Sequence, residues 1–109
     1  MSPERERVDA LLASTGMRFT EQPLSEDAGR LGASAGWRFT TAEGDVEADV
    51  FVVANAPEAA AGRLRESGGN LASHNGPIVF RVRYAGPAES ATEGSMRVGT
   101  VAGALAGEE

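Results

Sequence analysis

Residues 37–54, WRFTTAEGDVEADVFVVA, alternate between apolar and polar side chains on both sides of Glu43-Gly44. A period of two is the signature of a strand with one buried face, and an acid–glycine pair between two such runs marks a hairpin turn. With Glu43 and Gly44 as a two-residue loop, Thr41 falls opposite Val46, Phe39 opposite Ala48 and Trp37 opposite Val50, all on one side. Thr40 then opposes Glu47, and Arg38 opposes Asp49, on the other side. A register slipped by one residue would mix the two sets, so the pattern specifies the pairing. Farther on, Phe51 and Val53 make both faces apolar, which places the second strand in the middle of a sheet.

The stretch NLASHNGPIVFRVRYAGP repeats this arrangement around Asn75-Gly76. The same reading sets Ser73 opposite Ile78 and Leu71 opposite Phe80 on the apolar side. Ala72 with Val79 and Asn70 with Arg81 fall on the polar side. Ile78, Phe80, Val82 and Tyr84 point inward, while Arg81 and Arg83 point outward. Pro77 is a flaw in this turn, because it stands where an N–H should return to the carbonyl of His74. The turn is therefore expected to be open or widened and mobile, with His74 a partly exposed residue beside it.

Helix signals surround the strands. SPERERVDALLASTG offers Ser2 as a cap, Pro3 at the first helical position, Glu4 at the positive end and Gly16 at the exit. GMRFTE at 16–21 reads as a strand with the same pattern as GWRFTT at 36–41, and Ser25 can cap one or two helical turns between them. NAPEAAAGRLRESGG starts at Asn55 or Ala56, stops at Gly68-Gly69 and presents Ala60, Ala61 and Leu64 as its buried stripe. AGPAESATEGS at 85–95 reads as a loop.

In the last segment, Val98, Val101, Ala102 and Leu105 share one helical face. Gly99, Gly103 and Gly107 would each weaken that helix by about 1 kcal/mol. A helix whose glycine ridge lies on the sheet is the favoured reading, and a strand from Met96 to Ala102 is the alternative. The implied architecture is α+β: one domain over residues 1–109, with a mostly antiparallel sheet of about four to five strands and helices packed on one face.

Composition narrows the function. A net charge of −6 argues against non-specific binding to nucleic acid or anionic membranes. The chain has no cysteine, which excludes disulfides, thiolate nucleophiles and Cys-ligated zinc. No apolar run reaches the roughly 18 residues of a membrane span, and the charged start lacks the apolar core of a signal peptide. The chain reads as cytoplasmic, although an extracytoplasmic domain separated from its export signal would read the same way.

The most specific surface is the polar sheet face. Arg18, Arg38, Arg81 and Arg83 alternate outward there, with Glu47 and Asp49 on the same side. Arginines in this arrangement can hold a phosphate, a carboxylate or an acidic partner; alternatively they pair with neighbouring acids, as Arg38 can with Asp49. Phe51, Val53 and Val79 add an apolar strip that suits a partner surface.

Other motifs fail. Glu43, Asp45, Glu47 and Asp49 alternate, but a calcium loop counted from Asp45 would have Val50 for its glycine and Ala56 for its final acid. The last three glycines fit neither a dinucleotide fingerprint nor a P-loop; they suit packing on the sheet or on a second copy. Ser73 and His74 are strand neighbours and point to opposite faces, so they make no nucleophile–base pair.

The expected function is non-catalytic binding through the arginine face or by self-association, with no metal or cofactor. His74 belongs to that rim. The partner would be a protein, a second copy or a small anion, not nucleic acid. The alternative is a metal-dependent or acid–base accessory protein with its site near His74. A structural domain excised from a larger envelope protein fits the same sequence features.

Overall fold

The structure is a computed structural model that describes residues 3–66 and 71–107. In chain order its elements are α1 (Pro3–Ala13), β1 (Phe19–Pro23), α2 (Ser25–Leu31), β2 (Ala35–Thr41), β3 (Val46–Val52), α3 (Pro57–Glu66), β4 (Leu71–Asn75), β5 (Ile78–Tyr84), one 3-10 turn (Ala88–Ser90) and α4 (Ala91–Leu105). The strands form one antiparallel sheet in the order β1-β2-β3-β5-β4. The fold is α+β, and β3 sits at the centre, as its two apolar faces require. The proposed Ser2 cap and the Gly68-Gly69 stop lie outside the described residues.

The β2–β3 register is the one the alternation specifies, with Arg38 opposite Asp49 and Phe39 opposite Ala48. The loop is longer than expected. Gly44, at φ +77°, donates its N–H to the Thr41 carbonyl at 2.8 Å. The Thr41 hydroxyl donates to Asp45 at 2.6 Å and accepts from the Val46 N–H at 3.1 Å. Residues 42–45 thus leave the ladder. Loops of two and four residues centred on the same pair give the same register, so the facing set is unchanged.

The second hairpin is shifted by two residues from the expected register. Ser73 faces Phe80, Leu71 faces Val82, Ala72 faces Arg81, His74 faces Val79 and Asn75 faces Ile78. Its turn is Gly76-Pro77, not Asn75-Gly76. Sliding by one turn position puts Pro77 inside the loop, where no ladder N–H is needed, and Gly76 supplies a φ of +59°. A slip of two leaves every side chain on its original face. The tip is tied down, since the Pro77 carbonyl accepts the Val53 N–H at 2.8 Å. Asn75 is released from the turn and donates its side-chain amide to the Leu105 carbonyl at 3.1 Å, closing the end of α4.

Helices cover both sheet faces, where one was expected. On the first face, Phe39, Val46, Ala48, Val50, Ile78, Phe80 and Val82 pack against Val8 and Leu12 of α1 and Val98, Val101 and Leu105 of α4. On the second, Phe51, Val79 and Ala72, with Val53 just beyond β3, pack against Ala28 of α2 and Ala60, Ala61 and Leu64 of α3. The apolar strip read as a partner surface is therefore interior. Its side chains recruit helices from the same chain.

Three local readings change as well. Leu24, not Ser25, is the N-cap of α2, and it makes no side-chain cap bond. The 85–95 loop is in part helix, because α4 starts at Ala91. Its small residues serve close packing: a methyl group at buried Gly94 would overlap the ring of Tyr84. At Gly99 the glycine ridge makes no close contact with the sheet. A methyl at Gly99 would meet nothing, and Gly107 follows the helix at φ +80°.

The sheet borders differ. β1 carries Glu21 and ends at Pro23. On β4, the Ala72 carbonyl accepts the Arg65 Nε–H from α3 at 2.8 Å.

Candidate functional site

The second sheet face is built in three rows running across the strands. Row one is Thr20, Thr40, Glu47 and Arg83; row two is Gln22, Arg38, Asp49, Arg81 and Ala72. Row three is Gly36, Phe51, Val79 and His74. The apolar part of row three, with Ala72, lies under α2 and α3, while the charged rows continue beyond the helices. This division follows from the sequence, because β3 and β5 change from apolar to charged along this face at Phe51-to-Asp49 and Val79-to-Arg81.

Asp49 is the centre of the arrangement and only 2 % exposed. Arg38 reaches it in a fork, Nε to Oδ1 at 2.8 Å and a terminal nitrogen to Oδ2 at 3.3 Å. Arg81 reaches Oδ2 from the opposite strand at 2.5 Å. Burial pushes the Asp49 carboxyl up, but the hydrogen bonds from Arg38 and Arg81 outweigh it and hold the group below the usual carboxylate value. One carboxylate thus serves two guanidinium groups. The Arg81 Nε–H is buried with no acceptor among the described residues. In the next row Arg83, the more exposed cation, pairs with Glu47.

The other predicted site residues do not join this cluster. Arg18 precedes β1, is exposed, and has no ion-pair partner among the described residues; its carbonyl accepts the Ala42 N–H at the far end of the sheet. His74 is a half-buried strand residue, not a turn residue. It shares the face of Arg81 but stands one row away, and its Nδ1 lies 3.3 Å from the Gly76 carbonyl. Among the described residues no group of three or more His, Asp or Glu side chains is placed to hold a metal ion.

No family model, curated protein or solved structure matches this chain. The candidate site therefore rests on its own geometry.

Two ionic clusters were not foreseen, and both lie on the first face. Arg97 of α4 reaches Asp45 at 2.7 Å and Glu43 at 3.0 Å, pinning the β2–β3 loop to the helix. Arg5 of α1 lies over the rings of Trp37 and Phe39, 4.8 and 5.1 Å from their centroids, and pairs with Asp9 and Glu21. Only the Arg5–Asp9 pair has a sequence signature, the spacing of four on a helix. The other contacts depend on where helices land on the sheet.

Proposed function

We propose that the protein is a non-catalytic binding module that receives an anionic group, a carboxylate or a phosphate, on the charged half of the second sheet face. The observation that carries this reading is the sharing of buried Asp49 between Arg38 and Arg81. With Arg83 and Glu47 included, three guanidinium groups face two carboxylates in a chain whose net charge is −6. The excess positive charge attracts an incoming anion, and guanidinium groups offer paired donors that match planar or tetrahedral oxyanions. All three arginines project from paired strands, so little backbone ordering accompanies binding. Thr20, Gln22 and Thr40 stand beside them as neutral hydrogen-bonding groups.

The test is an NMR titration with inorganic phosphate and with a poly-glutamate peptide. Saturable shifts at the amides of Arg38, Arg81 and Arg83, weakened in the Arg83→Gln chain and by added salt, support the reading. Shifts spread over the whole surface, or no shifts, overturn it.

A further inference from the structure

We infer that α4 is a self-association surface and that its occupant is the α4 of a second copy, packed antiparallel across a two-fold axis near Gly99. Thr92, Met96, Gly99 and Gly103 recur at spacings of four, three and four, the pattern of a helix–helix seam. Thr92, Met96 and Gly99 are exposed, and Gly103 is half-buried. Met96 is 73 % exposed, and a methyl at Gly99 would meet nothing. Gly99 and Gly103 of this stripe border a shallow cleft between α4 and β4, whose other walls include Leu71, Phe80 and Ala102. Leu71 is 53 % exposed. The large apolar side chains left exposed among the described residues thus flank one surface.

The charge pattern is compatible with a second copy as the occupant at this surface. Two chains of net −6 repel over most of their surfaces. β4 carries no charged residue, and between Gly94 and Leu105 the single charge is Arg97, which is engaged with Asp45 and Glu43. The seam is also self-complementary. An antiparallel crossing near Gly99 sets Met96 of each copy over Gly103 of the other, a protruding side chain against a site with none. The same crossing carries exposed Glu93 at the start of one helix towards Arg7 of the second copy, which bonds Asn75 beside the end of α4.

Sedimentation equilibrium and cysteine cross-linking test this. The expected result is a concentration-dependent dimer whose dissociation constant rises about tenfold or more in Met96→Lys. Arg63→Gln, on α3 over the other face, should leave it unchanged. The chain has no cysteine of its own, so Thr100→Cys, next to the axis, should form a disulfide-linked dimer under mild oxidation, whereas Glu58→Cys on α3 should not. A chain that stays monomeric at its highest soluble concentration overturns the inference. So do a dimer that survives Met96→Lys, equal cross-linking through position 58, and a monomer that takes up only an unrelated apolar helix. Failure of phosphate to bind would leave this result standing, since the two surfaces lie on opposite faces of the sheet.

Discussion

The ring of Tyr84 fills the space that a methyl group at Gly94 would need. Gly94→Ala should therefore destabilise the fold by about 2 kcal/mol through overpacking, despite a gain in helix propensity. In a Tyr84→Ala background the same substitution should become neutral or favourable. Gly99→Ala, whose added methyl meets open space, should stabilise the monomer by up to about 1 kcal/mol. Urea unfolding of the four chains at low concentration checks the pattern, and a Gly94→Ala cost that persists without the Tyr84 ring would contradict it.

Removing the Asp49 charge leaves the guanidinium groups of Arg38 and Arg81 facing each other across a neutral side chain. Asp49→Asn should lower stability by about 3 kcal/mol, the cost of breaking a largely desolvated pair. Replacing all three with apolar residues, as Arg38→Met, Asp49→Leu and Arg81→Met together, should recover most of that loss. Recovery in the triple chain, measured by denaturant midpoint, separates the cost of an orphaned charge from the worth of the cluster.

Acid should weaken the fold through the same carboxylate. The Asp49 pKa is lower in the folded chain than in the unfolded one, because the bonds from Arg38 and Arg81 outweigh burial. The unfolded state then takes up the proton first on acidification, so this stabilisation is complete above about pH 4 and is lost as pH falls through the lower folded value. Asp45, held low by the Thr41 hydroxyl and Arg97, contributes with the same sign. Stability measured as a function of pH should fall below that range, with a shallower acid limb in Asp49→Asn.

Asn75 links β4 to the final turn of α4. Asn75→Ala should cost about 1 kcal/mol and speed amide exchange at the C-terminal end of α4 more than at the Gly76-Pro77 tip. Faster exchange confined to the tip would place Asn75 back in the turn.

Both hairpins show what alternation can and cannot convey. The pattern around Arg38 and Asp49 determined which residues share a face and which oppose, because a slip of one would bury a charge. It was silent on a slip of two, which preserves every face, and the second hairpin moved by that amount. Pro77 held the missing information: its lack of an N–H forbids the ladder position it was first given. The placement of helices on both faces was written in Phe51, Val53 and Val79, yet an apolar strip does not say whether its cover comes from the same chain. Of the candidate site, Arg38, Arg81 and Arg83 come together as the strand pattern implies. Arg18 shares their face but lies before β1 at the far end of the sheet, and His74, one row from Arg81 on the apolar side, is turned to the Gly76 carbonyl.

The two sheet borders described above have a further consequence. Pro23 closes the end of β1, and Glu21 beside it would place a charge against any strand added there. On β4, an incoming backbone would have to displace Arg65 from the Ala72 carbonyl. Each border thus resists templated growth, so that concentrated samples of the folded chain should remain free of amyloid-like fibres.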